Sequence, residues 1–129
     1  PPSALESHRR RIDAIFSAGS VEAVLERLER DGSDFSLQAL RALRAASPTS
    51  LKFTFRAIRA AADMDLRECL KMEYRVARTA IQAHDFAEGV RARLIDKDHA
   101  PHWQPAHLAA LDESAIDAYF APQENLRFD

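Results

Sequence analysis

Apolar residues recur at three- and four-residue spacings along almost the whole chain, and most runs open on a capping residue and close at Gly or Pro. No other feature constrains the fold as strongly. A chain patterned at this period buries a stripe on each helix, whereas a strand would need alternation at every second residue. Only three Gly occur in 129 residues, which removes Gly-rich phosphate loops and most β-rich folds with many tight turns. The expectation is all-α, with roughly six to eight short amphipathic helices joined by short connections.

The first segment covers residues 4–18, with Leu5, Ile12, Ile15 and Phe16 at helical spacing and Gly19 as its C-terminal cap. Ser20 caps the second, whose stripe is Val21, Val24, Leu25 and Leu28, and Gly32 ends it. The third is capped by Ser33, Asp34 or Ser36 and carries Leu37, Leu40 and Leu43. The fourth has the strongest start: Ser47 as cap and Pro48 at the first helical position, where its missing N–H costs nothing. Leu51, Phe55, Ile58 and Ala62 are expected on its buried face; residues 51–55 also alternate like a strand, but the cap and the Ala-rich continuation favour helix. The fifth begins at Asp65 with Glu68 three residues on, a capping box. Leu66, Leu70, Ala77 and Ile81 mark one side and Met72, Val76 and Ala80 another, so this helix is expected to be central or to contact two partners. The sixth repeats the arrangement with Asp85 and Glu88, carrying Phe86, Val90, Leu94 and Ile95. Residues 96–104 read as a loop, Pro105 opens a short helical turn to Leu111, and Asp112 caps a last helix with Ile116, Tyr119 and Phe120. The tail from Pro122 is expected to fray.

Net charge is −2, without the basic excess usual in nucleic-acid binders. Arg outnumbers Lys by 15 to 3 and Ala is abundant, a composition that points to a GC-rich bacterial source. Cys69, the single cysteine, has no internal disulfide partner, so a reducing compartment such as the bacterial cytoplasm is expected. No apolar run approaches the ~20 residues that cross a bilayer, so no membrane partner is expected, and no signal peptide is visible. The opening Pro-Pro, with no Met, suggests a piece of a longer protein.

Generic chemical motifs are sparse. Asp96, Asp98, His99, His102 and His107 lie close in sequence, but on a loop and without metal-site spacing, so no metal site is expected. Cys69 sits on an apolar flank, where free Cys behaves as a small hydrophobe. Ser47 and Ser50 suit capping better than nucleophilic work. Asp63 and Asp65 surround a helix start, where acids are favoured by the dipole. Arg9, Arg10 and Arg11 are consecutive and point apart, whereas Lys52, Arg56 and Arg59 form a basic stripe that suits phosphates or a solvated helix back.

More specific are the strings Ser47-Pro48-Thr49-Ser50-Leu51-Lys52 and Met72-Glu73-Tyr74-Arg75, then His84-Asp85-Phe86-Ala87-Glu88-Gly89-Val90-Arg91-Ala92 and Leu94-Ile95-Asp96-Lys97-Asp98, followed by Pro101, Trp103 and Pro105. Together they resemble the C-terminal region of the 3-hydroxyisobutyryl-CoA hydrolase family, thioesterases of valine breakdown in the crotonase superfamily. Phe16-Ser17-Ala18, Ser20-Val21-Glu22 and Asp31-Gly32-Ser33 extend the resemblance over essentially the whole chain. It implies a helical C-terminal part, residues 1–129, lacking the ββα core, with 1–46 as connecting helices and 47–129 as the family-diagnostic segment. It also implies an acyl-CoA substrate, no separate cofactor, and partners in the protein's own N-terminal crotonase core and in further copies of itself. The oxyanion hole and catalytic acids belong to that core, so no catalytic residue is expected here and the isolated chain should be inactive. Enoyl-CoA hydratases place an aromatic and a Lys near CoA at the end of a related segment; Arg93 and Asp96 stand there in this chain, with Lys97 one step later. Arg93 and Lys97 are therefore the candidate CoA-phosphate contacts. Competing readings are an enoyl-CoA hydratase/isomerase and a helical interaction module. A fragment of this kind is also expected to self-associate through its fourth and fifth segments, because its apolar stripes lack their usual cover.

Overall fold

A computed structural model describes residue 3 and residues 5–122, and among these every regular element is helical. The chain divides into two compact units, Pro1–Ala46 and Ser47–Asp129.

The first unit holds a single turn at Glu6–His8, then α1 (Arg9–Phe16), α2 (Val21–Asp31) and α3 (Asp34–Ala45). The Ser20 hydroxyl accepts from the Ala23 amide and starts α2; Gly32, at φ 61°, ends it in the left-handed region that Gly enters without a Cβ penalty. Ser33 caps α3 by accepting from the Ser36 amide. Val21, Val24 and Leu28 of α2 are buried with Ile15, Ala18 and Leu40. Beside them the buried Ser36 hydroxyl donates to Asp31 at 2.7 Å. Asp31 also accepts from the Ser33 hydroxyl and from Arg11, and these bonds, the serines' foremost, hold its carboxyl well below the usual carboxylate range. Gly19 is not the cap of α1: that helix closes on Ser17, and Gly19 lies in the turn leading to Ser20.

The second unit holds α4 (Pro48–Ala61), α5 (Leu66–Ala80), α6 (His84–Val90), a π-helical turn (Arg91–Ile95), a 3₁₀ turn (Leu108–Ala110) and α7 (Glu113–Phe120). Ser47 caps α4 through the Ser50 amide, with Pro48 opening the helix. Asp65 and Glu68 form the full reciprocal capping box at α5. Asp112 caps α7 through the Ser114 amide, which lowers its pKa. The short turn expected from Pro105 is confined to Leu108–Ala110, and the rest of the expected fraying tail, residues 123–129, lies outside the described residues.

α5 packs against α7 and α4 around Met72, Val76 and Tyr119. Phe53 stacks on Tyr119 with centroids 4.8 Å apart. The buried side of α4 is therefore Phe53, Ala57, Ala60 and Ala61, not the expected Leu51–Ile58 line, and Ile58 is 68% exposed. The α4 stripe of Lys52, Arg56 and Arg59 explains that rotation. Lys52 pairs with Glu113 at 2.6 Å and Arg56 with Asp117 at 2.6 Å, so two of its cations fasten α7 across α4. Arg56 also lies over the Phe120 ring and Arg59 over Phe55. On α5 only the Met72–Val76–Ala80 side enters the core; Leu66, Leu70 and Ile81 are exposed.

Candidate functional site

The family-like segment 84–105 folds back on itself around two acids and one arginine. Asp85 is not the cap of α6, which starts one residue after Ala83 without a side-chain cap bond. Its side chain, nine-tenths buried, instead accepts from the Ser47 hydroxyl at 2.5 Å, the Gln104 amide at 2.9 Å and the His84 ring at 2.9 Å. One carboxylate thus ties the start of α4, the start of α6 and the end of the loop together. A small cavity of about 140 Å³ lies beside it, lined by Ser50, Phe53, Phe86, Gln104 and Tyr119 among others. Burial, helped by the Asp85 charge, raises the pKa of the Tyr119 phenol.

Glu88 and Arg91 form the second hub. Arg91 donates to Glu88 through Nε and Nη2 at 2.9 and 2.8 Å, a two-point fork. Its Nη1 reaches Asp96 at 2.6 Å and Asp98 at 2.7 Å, and Nη2 also donates to the Ala100 carbonyl. Glu88 further accepts from the His102 amide at 2.7 Å. The Arg91 bonds, followed by that amide, depress the Glu88 pKa from 4.5 to about 2. The same partners, Glu88 first, raise Arg91 further above its already high value. Asp98 is lowered by the Ala100 amide and by Arg91.

This hub fixes the loop shape. The Asp96 amide bonds the Arg91 carbonyl, five residues back, closing the π-helical turn, and the His99 amide returns to the Ala92 carbonyl. Lys97 and His99 both sit at positive φ, 56° and 55°, a conformation that costs non-Gly residues energy and that the Arg91 network enforces. The Trp103 ring covers Gly89: a methyl built there lies 3.4 and 3.6 Å from two ring carbons.

Of the expected CoA contacts, Arg93 lies in the π-helical turn and Lys97 on the loop after it; both are exposed, and among the described residues neither has a side-chain partner. The acids that flank Lys97 face Arg91 instead. Arg91 itself was not among the residues singled out from sequence. Its signals were the Glu88–Arg91 spacing of three and the acids five and seven residues beyond. Asp96, Asp98 and His102 belong to the Arg91–Glu88 hub, and among the described residues no three His, Cys, Asp or Glu side chains gather as metal ligands. Cys69 is half-buried, its Sγ 4.0 Å from the Ala61 carbonyl. No described helix is long and apolar enough to cross a membrane.

Residues 1–120 match the enoyl-CoA hydratase/isomerase family model. The 3-hydroxyisobutyryl-CoA hydrolase, mitochondrial, of Danio rerio is 48% identical over 120 residues, which are 93% of this chain and 31% of that protein. The protein of the same name from Homo sapiens is 45% identical over 116 residues, 90% of this chain and 30% of its own length. Among solved structures, a carnitinyl-CoA dehydratase from Mycobacterium thermoresistibile superposes with a TM-score of 0.89 at 32% identity, covering 97% of this chain and 36% of that one. An enoyl-CoA hydratase from Rhodobacter sphaeroides gives 0.86 at 33% identity, covering 95% and 36%. The chain thus spans about a third of the length of the relatives it matches. With the match running from its first residue to Phe120, the chain belongs to the enoyl-CoA hydratase/isomerase family.

Proposed function

We propose that this chain is the C-terminal helical part of an acyl-CoA thioester hydrolase that releases 3-hydroxyisobutyrate and CoA in valine breakdown. The observation that carries the reading is 48% identity to a 3-hydroxyisobutyryl-CoA hydrolase over nearly the whole chain. The reacting groups belong to a crotonase core outside these residues. Backbone N–H donors there stabilise the charge that develops on the thioester oxygen, usually the largest catalytic term. This chain contributes cover and position. The π-helical turn and the loop 96–104, fixed by Asp85, Glu88 and Arg91, hold Arg93 and Lys97 in the open, where they meet the phosphates of CoA. Its exposed apolar residues, Leu66, Leu70 and Ile81 among them, pack on the core or on another copy. The composition suits a bacterial cytoplasm; the relatives whose names give a location are mitochondrial.

The protein at its natural length tests the reading. Free thiol released from 3-hydroxyisobutyryl-CoA supports the hydrolase. Arg93→Ala and Lys97→Ala then raise KM for the acyl-CoA and leave kcat near the parent value, because a remote phosphate contact binds ground and transition states alike. A second reading, hydration of an enoyl-CoA, is favoured by the two structural neighbours, a dehydratase and a hydratase. Loss of crotonyl-CoA absorbance without thiol release would select it, and absence of both signals would remove both readings.

A further inference from the structure

Residues 96–98 place an acid on each side of Lys97, a poor setting for an anion contact. Asp96 also lies three residues after Arg93, a spacing at which opposite charges pair on a helix. Both cations would therefore be expected to hold a neighbouring carboxylate, and neither does. The Asp96 amide bonds the Arg91 carbonyl, so the π-helical turn brings Asp96 to Arg91 and not to Arg93. Asp96 and Asp98 then converge on one nitrogen, Arg91 Nη1, at 2.6 and 2.7 Å. Glu88 grips the guanidinium through Nε and Nη2, which fixes the direction in which Nη1 points. Asp98 is held a second time by the Ala100 amide at 2.9 Å. Arg93 and Lys97 are thus exposed and, among the described residues, without partners, although two acids adjoin them.

We propose that Arg91 is a positioning residue for CoA binding: by taking Asp96 and Asp98 it keeps Arg93 and Lys97 unpaired for the phosphates. The proposal rests on the reading of Arg93 and Lys97 as phosphate contacts. An exposed cation beside a free carboxylate spends part of its time paired with it, and a phosphate must displace that partner. A free carboxylate between two phosphate contacts also repels the ligand directly. Arg91 weakens both effects at once, because each carboxylate it holds is pinned on Nη1 and partly compensated by its charge.

The test measures Kd of the natural-length protein for CoA and for pantetheine, which lacks the phosphates. The variants are Arg91→Met, Asp96→Asn with Asp98→Asn, all three changes together, and Arg93→Ala with Lys97→Ala. Asp98→Asn keeps an acceptor for the Ala100 amide. Arg91→Met weakens CoA binding about two- to fivefold, the worth of an exposed ion pair, and leaves pantetheine unchanged. Adding the paired Asp→Asn changes restores CoA binding, because the released side chains no longer carry the charge that occupies the two cations. Circular dichroism checks the fold. If Arg91→Met does not fold, Arg91→Lys replaces it, since one ammonium keeps the charge but cannot hold the Glu88 fork and both aspartates. The proposal is overturned if the Arg91 variant binds CoA like wild type, if it weakens pantetheine equally, or if the Asp→Asn changes fail to restore CoA binding; the last two are what a merely loosened loop would give. If Arg93→Ala with Lys97→Ala leaves CoA affinity untouched, the phosphate reading falls and the proposal with it. Loss of affinity in that variant but not in the Arg91 variant overturns the proposal alone.

Discussion

Gly89 stands inside a continuous helical stretch, beneath the ring of Trp103. Gly at such a position is less favourable than Ala by about 1 kcal/mol, because its backbone loses more freedom on folding. A methyl added there meets Trp103 at 3.4 and 3.6 Å, an ordinary van der Waals contact. Gly89→Ala therefore recovers the propensity term without a clash, and stability rises by about 0.5–1 kcal/mol. In a unit of this size such a gain raises Tm by several degrees. Gly89→Leu has the opposite sign: its branch occupies the volume of the indole, so the ring and the loop carrying it must lift, at about 1–3 kcal/mol for an overpacked contact. Trp103 is the only tryptophan in these 129 residues, so the difference in emission between each variant and wild type reports the displacement. Urea unfolding of the natural-length protein, followed by circular dichroism and by Trp103 emission, measures both effects. The Leu variant should red-shift the native emission, whereas the Ala variant should leave it unchanged. A Gly89→Ala variant less stable than wild type by 1 kcal/mol or more would refute the reasoning, since it would require something other than Trp103 to occupy that space.

Glu88 titrates at about 2 when folded against an ordinary 4.5, so its bonds stabilise the fold fully above pH 4.5 and that stability is lost as pH falls toward 2. Glu88→Gln should flatten this part of an acid-unfolding profile, and an unchanged profile would show the Arg91 fork to be immaterial. Ser47→Ala removes both the α4 cap and the donor to Asp85, at about 1–2 kcal/mol in a urea melt; a loss no larger than a tenth of that would mean water replaces both bonds. Leu28→Ala, at a fully buried position in the first unit, should cost about 2–5 kcal/mol by the same assay.

The helix starts were legible because a cap is a local device. Ser20, Ser33, Ser47, Asp65 and Asp112 each accept from an amide two or three residues on, and nothing distant competes for those bonds. Asp85 shows where the rule stops. Asp85 and Glu88 have the spacing of a capping box, yet their acceptors serve the Ser47 hydroxyl and the amides of Gln104 and His102, groups that only the folded chain brings near. The buried side of α4 was misread for the same reason. Leu51, Phe55 and Ile58 make the better apolar line on paper, but ion pairs between residues 61 positions apart draw α7 onto the neighbouring face. Arg91 stayed hidden because one arginine among many carries no local mark; its importance lies in four partners converging on it.

α5 carries the physical case for a larger protein around this chain. Met72 and Val76 enter the core on one side of the helix. Lys71 and Arg75 occupy a second side, over a cleft, and Leu66, Leu70 and Ile81 a third, where they are 76%, 45% and 56% exposed. Burying each of these three is worth about 1.5–3 kcal/mol, so together they leave several kcal/mol unrealised. That is comparable with the net stability of a whole domain, about 5–15 kcal/mol. Single exposed apolar residues are common on any protein surface. Three on one helical face form a surface that asks for an apolar partner. A solvated helix back would not carry three such residues on one side, so the face is better explained by a covering segment or a second copy than by water.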